Sequence, residues 1–524
     1  MLEKVQKELD EVISSDRLVT LSDKNDLPYM NAFINETQRC ANIVYHLYWK
    51  RRNLPPGPIP LPFLGNILAL RNPAPGFRSF VKWRKTYGDI YTFWLGTRPY
   101  ILVSSYEALK ETFIRDGETY VDKKPMPFQE SFRGGCYGVV ETNGMFWREH
   151  RRFALHQFRD FGYGKERMQQ RILIEVEDIF NSCDNSQGED INIVEKMDRA
   201  VGNVINQMLF GYRFDASRHE EFKTIRGFFD FQKGEFNTFK MRMQFLLPWT
   251  GRFMTGPTIL ERFEKYRVGF SEFFGRQIEQ HKNEIDFELD ETTDYVEAYL
   301  KEQRKREKDG DFETYSNTQL FNMCLDLWFA GLTTMSNTLQ WCFAYVLNYP
   351  QFVAKVHEEM DRVIQGDRLI TMDDKNNLPY MNAFINECQR CANVVPLNLL
   401  HMTTKDTVIN GYSIPKGTGV VAQISTAMLD ERVFKNPDAF NPDRFIANGK
   451  LRKIDELVPF SVGKRQCLGE GMARMELFLF VANFLNRYHI RPTKEGVPCV
   501  DHDQLGSMHT KPYKIVVERR RRDD

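Results

Sequence analysis

The sequence predicts a mainly α-helical fold, and three sets of residues carry that reading. Phe321 to Thr338 reads as a long apolar helix with a notch of small residues at Ala330 and Gly331. Met472 to Phe480 reads as a second helix, which sets Cys467 near a helix N-terminus. Trp147 and Arg151 are four residues apart and Glu387 and Arg390 three apart, the spacings that put two side chains on one helix face.

The 524 residues are 42% hydrophobic and 13% aromatic, enough for one large core or a few ordinary domains. Basic and acidic residues both number 71, so the formal net charge is zero and nothing argues for a nucleic-acid partner. Nine scattered cysteines, an odd number, describe a reducing compartment rather than a disulfide scaffold. Cys388 and Cys391 have redox or zinc spacing, but no second pair accompanies them. No stretch reaches the ~18 to 20 consecutive apolar residues that span a bilayer, and the charged opening from Met1 to Asp10 is not a signal peptide.

In chain order, the first element is a copy. Residues 2–44 repeat residues 353–395 with about two-thirds of positions identical. One repeat is not a solenoid. It reads as a fragment of a related coding sequence joined to the front near Val44. It lacks the core against which its twin would pack, so we expect a loosely attached or disordered segment outside the main domain. Residues 45–53 carry the basic run Lys50, Arg51 and Arg52, and Pro55-Pro56-Gly57-Pro58 follows. Pro60 to Asn66 reads as extended chain.

Trp147 and Arg151 can offer an indole N–H and a guanidinium to one carboxylate. In the apolar helix, Ala330 and Gly331 leave room, and a threonine hydroxyl such as that of Thr334 can bond a preceding carbonyl and open the helix locally. Glu387 and Arg390 taken alone are a surface pair worth little. Asn441 to Phe445 is a proline-led turn carrying Arg444. The last element is Phe460-Ser-Val-Gly463-Lys-Arg465-Gln-Cys467-Leu-Gly469. Gly463 and Gly469 permit turns in which amide N–H groups converge on the sulfur. Arg465 supplies positive charge that lowers a thiol pKa and can reach an anionic cofactor. A thiolate held this way is an axial ligand for haem iron.

The pattern of Phe460, Gly463, Arg465, Cys467 and Gly469 resembles the haem-binding signature of the cytochromes P450. The resemblance extends from Leu54 to the end, which implies a P450 domain over 54–524: a helical bundle around haem with small β-sheets. It implies haem b ligated by Cys467, with Arg465, Trp147, Arg151 and His401 toward the propionates. His401 stays open between that role and a satisfied strand histidine. The resemblance further implies that Arg444 closes a buried triad with Glu387 and Arg390, whose loss costs haem and fold. Glu36 and Arg39 repeat the pair, but one Arg444 serves one copy, and position favours Glu387.

Thr334 falls at the family's proton-handling threonine, beside Ala330 and Gly331. The preceding position, an acid in the family, is Thr333 here, which predicts slower oxygen activation or more leakage to peroxide. Residues 122–137 and 228–245 are expected to border the substrate pocket. Phe245 to Trp249 is read either as helix packing or as a dip into a membrane surface. Arg519 to Arg522 is read as a solvated tail, with contact to anionic lipid or an acidic electron donor as the alternative.

The implied activity is a haem-thiolate monooxygenase that places one oxygen atom of O2 into a small apolar substrate. Its electrons come from NADPH through NADPH-cytochrome P450 reductase, with cytochrome b5 as a further partner. Residues 45–58 resemble the basic flank and hinge after a microsomal membrane anchor. That implies the cytoplasmic face of the endoplasmic reticulum, with peripheral contact because no anchor helix is seen. Two other readings stay open: a haem-thiolate isomerase or dehydratase needing no external electrons, and an inactive product of a fused or mispredicted gene.

Overall fold

A computed structural model of the protein describes residues 2–13, 17–45, 50–70, 77–124, 132–160, 166–186, 188–234, 259–289, 291–364, 367–501 and 509–520. The main helices in chain order are α1 (Leu2–Ile13), α2 (Pro28–Val44), α3 (Phe77–Tyr87), α4 (Gly144–Asp160), α5 (Glu166–Asp184) and α6 (Ile193–Phe210). They continue with α7 (His219–Gly234), α8 (Ile259–Glu284), α9 (Tyr295–Lys308), α10 (Asn317–Asn348), α11 (Pro350–Val363), α12 (Pro379–Ala392) and α13 (Glu470–Arg487).

The apolar run predicted as a helix is α10, and it is the axis of the fold. Ser316 caps it by accepting from the Gln319 amide, and 32 residues follow without a break. Its side chains are buried nearly all round, as an all-apolar helix requires. Helices α6, α8, α12 and α13 surround it. Each large side chain buried there, such as Trp328 or Trp341, contributes about 1.5–3 kcal/mol. The helix does not open at the notch, contrary to the expectation. The Thr334 hydroxyl donates to the Ala330 carbonyl at 2.7 Å while the helix continues. A hydroxyl can donate to a carbonyl four residues back that also accepts its ladder bond, without displacing the ladder.

The expected small sheets are present. The largest runs β1-β2-β7-β4-β3, from Ile90–Leu95 (β1), Arg98–Val103 (β2), Asp122–Lys123 (β3), His401–Met402 (β4) and Gly419–Ala422 (β7). Its register sets Lys123 opposite His401. Pro60 to Asn66 is not extended: it doubles back, with Leu61 bridging Gly65 and Phe63 in the left-handed region. Gly65 is needed there, because a Cβ would lie 2.3 Å from the Trp94 carbonyl oxygen.

The front segment, expected to be loosely attached or disordered, holds local structure of its own. Glu8 accepts from the Tyr29 and Met30 amides at 2.8 Å, tying α1 to the start of α2. Arg17 bonds Asp23 at 2.8 Å, and Thr20 and Asp23 form a capping box. These local contacts need no core beneath them.

Phe245 to Trp249 lies outside the described residues. Of the second predicted pocket border, residues 228–234 end α7, where Phe228 packs on Phe270 with ring centroids 5.5 Å apart, and 235–245 lie outside the described residues. The predicted solvated tail is corrected at Arg520. Its guanidinium is buried and bonds both Asp361 oxygens at 2.7 Å, while Arg519 pairs with Asp367. Arg521 and Arg522 lie outside the described residues.

Candidate active site

The Cys467 loop is held from three sides. Inside the loop, the Cys467 amide donates to the Phe460 carbonyl at 3.0 Å and the Gln466 amide to that of Gly463 at 3.0 Å. Gly463 has φ +81, and a Cβ there would lie 2.1 Å from the Phe113 carbonyl oxygen. Only glycine fits that turn. Gly469 differs from the reading that gave it the same freedom. Its φ is −89, and it is the residue before α13. From α4, Arg151 donates to the Gln466 carbonyl at 2.6 Å. Phe460 lies under the Arg474 guanidinium at 4.9 Å.

The Cys467 sulfur is reachable by solvent but set in a recess crowded by protein. Burial pushes its thiol up. The Gly469 amide and the Arg151 charge act the other way. The cation helping the thiol is therefore Arg151, not Arg465 as expected. Arg465 points away, donating to the Val121, Val139 and Thr142 carbonyls at 2.8, 3.3 and 2.6 Å.

A second group of side chains converges beside the loop. Trp147 and Arg151 share one face of α4 as predicted, and Arg465 lies flat on the Trp147 ring at 3.7 Å. The Trp147 Nε1–H is buried without a hydrogen-bond partner. Burial and the nearby Arg151 pull Arg465 down to about 9. Across the sheet, burial and Arg465 hold Lys123 well below its usual range. His401 is buried with Nδ1 2.7 Å from the Tyr120 carbonyl. Nδ1 must donate there, so neutral His401 presents a bare Nε2. Burial first, then Lys123 and Arg465, keep it neutral. His401 is thus a bonded strand histidine that also faces the basic cluster.

This donor set fits an anionic group. Two guanidiniums, an ammonium and an orphan indole N–H are crowded together at a cost in stability that a carboxylate would offset. Lys123 was not singled out from the sequence. The signal was present only as a lysine in a stretch read as pocket border.

The clamp behind the loop is complete. Glu387 and Arg390 are fully buried and bidentate at 2.7 and 2.8 Å, and Arg444 reaches Glu387 at 3.2 Å. The Asn441 amide adds a bond to Glu387 at 2.8 Å. The remaining guanidinium hydrogens go to carbonyls, among them those of Pro437, Ala439 and Lys435. The carboxylate that Arg444 meets is that of Glu387. Cys388 and Cys391 form no disulfide, and among the described residues no metal-binding cluster of His, Cys, Asp or Glu occurs.

On α10, Ala330 is exposed in an otherwise buried helix and so borders open space, with Thr333 and Thr334 half-buried beside it. Gly331 serves a different purpose from the one expected. A Cβ there would lie 2.6 Å from Ile205, so its smallness lets α6 approach α10. The loop of 132–143 is locked to α10 through a residue that sequence reasoning passed over. Buried Asp326 bonds Arg133 at 2.6 Å and accepts from the Val139 and Val140 amides at 2.8 and 3.0 Å. The signal was a lone carboxylate in an apolar run.

The cytochrome P450 family model matches residues 1–52 and 55–517. The chain belongs to the cytochrome P450 family. It is 34% identical over 455 residues to cytochrome P450 2A5 of Mus musculus, covering 85% of this chain and 90% of that one. Cytochrome P450 2C7 of Rattus norvegicus is 34% identical over 457 residues, with 84% and 89% covered. Cytochrome P450 2B19 of Mus musculus is 33% identical over 474 residues, with 88% and 93% covered. This P450 is accordingly a haem-binding monooxygenase whose iron carries a cysteine thiolate, and it uses O2, a substrate and electrons from a redox partner. Among the described residues no helix is long and apolar enough to cross a membrane.

Proposed function

We propose that residues 54–524 form the catalytic unit, that Cys467 is the iron ligand, and that Trp147, Arg151, Arg465 and Lys123 hold the haem propionates. The observation that carries this is the orphan Nε1–H of Trp147, buried among basic groups beside the Cys467 loop. We include His401, whose charged form an added carboxylate favours by offsetting Lys123 and Arg465, against the burial that acts on it first. Glu387, Arg390 and Arg444 support the loop from behind without touching the substrate.

Haem supplies the oxygen chemistry when bound, placing one atom of O2 in the substrate and releasing the other as water. The chain's part is to hold protons and exclude water. Thr334 donates to the Ala330 carbonyl, which leaves its oxygen lone pairs free to accept from a water in the open space beside Ala330. Thr333 carries no ionisable proton, so delivery there relies on Thr334 and water. Ala330 leaves space beside that water.

The substrate class is a small apolar molecule, and the electrons come from NADPH through NADPH-cytochrome P450 reductase, with cytochrome b5 as accessory donor. Lys50 to Arg52 and the Pro55–Pro58 hinge support placement at the cytoplasmic face of the endoplasmic reticulum. A reduced carbon-monoxide difference spectrum tests the ligand. The wild type shows the thiolate band and Cys467→Ser loses it; an unchanged band in Cys467→Ser overturns the assignment. Turnover should require NADPH and reductase. Thr333 favours a second reading, an isomerase or dehydratase, for which turnover would proceed without them.

A further inference from the structure

The front segment is not a degraded copy of residues 353–395, because it keeps both the internal scaffold and the docking face of its twin. The scaffold is reproduced bond for bond. Glu359 accepts from the Tyr380 and Met381 amides at 2.8 and 2.9 Å, as Glu8 does from Tyr29 and Met30. Arg368 bonds Asp374 and Thr371 caps with it, as Arg17 and Thr20 do with Asp23. Asn382 donates to the Lys375 carbonyl, and Asn31 to that of Lys24.

The two copies differ in what covers them. Ala383 is buried in a cluster with Phe434 and Phe445, Phe384 lies on Phe440 at 5.4 Å, and Glu387 meets Arg444. In the front copy Ala32 is exposed, Ile34 is 45% exposed against 6% for Ile385, and Phe33 is half-buried. Changed positions fall on both faces, and at buried Val353, Met360 and Ile370 the exchange is for another apolar residue, Leu2, Leu9 and Val19. The exposed positions Glu358 and Arg362 have become Lys7 and Glu11, both charge reversals. The seat-facing Met381, Ala383, Phe384, Ile385, Glu387 and Arg390 are unchanged as Met30, Ala32, Phe33, Ile34, Glu36 and Arg39. Two seat-facing positions change in kind: His357, whose ring lies 5.1 Å from that of His489, is Gln6 in the front copy, and Cys388, beside Cys342 on α10, is Thr37.

We infer that residues 2–44 are a second occupant for the seat of residues 353–395 in the same chain, able to offer Glu36 to Arg444. The tether sets a condition. Leu54 is buried in a cluster that includes Val458 and Val462, and Leu457 packs against both that cluster and the one holding Ala383. Residues 45–53 extend to about 30 Å at most, so Val44 in the place of Val395 must lie within that reach of Leu54. The displaced twin remains attached at both ends and loops out, at a closure cost that grows only slowly with length. In the intact chain the resident copy holds the seat, since Thr37 would bring a hydroxyl against Cys342 where a thiol sits. Damage to the resident copy shifts the balance.

The inference rests on the buried Glu387–Arg444 contact and not on the haem assignment. Its test uses Glu36→Ala, Glu387→Ala and the double variant in the full chain. Two readouts are taken, the carbon-monoxide difference spectrum and the melting temperature of the purified protein. Glu36→Ala alone should match the wild type. Glu387→Ala should keep part of the thiolate signal and a cooperative melt, and the double variant at least about threefold less signal. Equal signal and equal melting in Glu387→Ala and the double variant, including failure of both to accumulate, overturn the proposal. So does rescue confined to a dimer, which would move the docking to another chain. A wild type lacking the thiolate band defeats the haem reading, while the melting comparison still decides this one.

Discussion

Trp147→Phe separates the haem cradle from the protein fold with a change of one N–H group. The indole nitrogen is buried with no partner, so the apo fold carries the cost of an unsatisfied donor. Phenylalanine keeps a ring beneath Arg465, whose guanidinium sits 3.7 Å from the indole centroid, and removes that donor. The apo protein should therefore melt at a temperature close to the wild type. With haem bound, the same N–H makes a hydrogen bond to a charged propionate, worth about 1.5–3 kcal/mol. At 1.4 kcal/mol per tenfold, its loss should speed haem dissociation by about 10- to 150-fold. The assay is transfer of haem from the purified protein to an excess of an apo haem acceptor, followed by absorbance, with the melt of the apo chain as control. Dissociation within about twofold of the wild type would refute the placement of Trp147 on a propionate. A large drop in apo melting would refute the claim that the indole nitrogen is an orphan.

Three further outcomes are expected. Gly463→Ala forces a left-handed φ on a residue with a Cβ and drives that carbon into the Phe113 backbone, costing about 3 kcal/mol or more. Haem content and melting temperature should both fall, and normal values for both would show that the loop can rearrange. Thr333→Glu restores a carboxylate beside Thr334 and should lower the peroxide released per NADPH consumed. Unchanged coupling and turnover would sink the proton-delivery argument. Glu476 is fully buried with both carboxylate oxygens unpartnered, and burial raises it from 4.5 to about 8. The folded state then holds a proton that the unfolded state releases between those values. Stability is thus greatest below pH about 4.5 for this group and declines as pH rises to about 8, by a total on the order of a few kcal/mol. Glu476→Gln should flatten that part of the melting-temperature profile, and a profile identical to the wild type would show that Glu476 has a partner.

Much of the site was legible because its residues sit in short runs. Trp147 and Arg151 are one helical turn apart, and a turn fixes their common face whatever else the chain does. Thr334 reaches Ala330 for the same reason. The misreadings of Arg465 and Gly331 concern direction in space. Arg465 is two residues from Cys467, yet its side chain leaves the loop for the Val121 and Thr142 carbonyls. Gly331 stands in the notch by sequence but is small because Ile205 of another helix comes close.

The sequence alone determined that the chain is helical, that Cys467 sits in a glycine-bearing loop ahead of a helix, and that the front repeats an internal segment. These are local facts, set by period, spacing and identity. The tertiary structure decided the rest. It brought Lys123 opposite His401 through strand pairing, left Trp147 with an unsatisfied N–H, and gave Glu387 rather than Glu36 to Arg444. The last choice shows the physical reason. Two nearly identical segments fold into the same local form, and only the surface each one meets makes one of them part of the core.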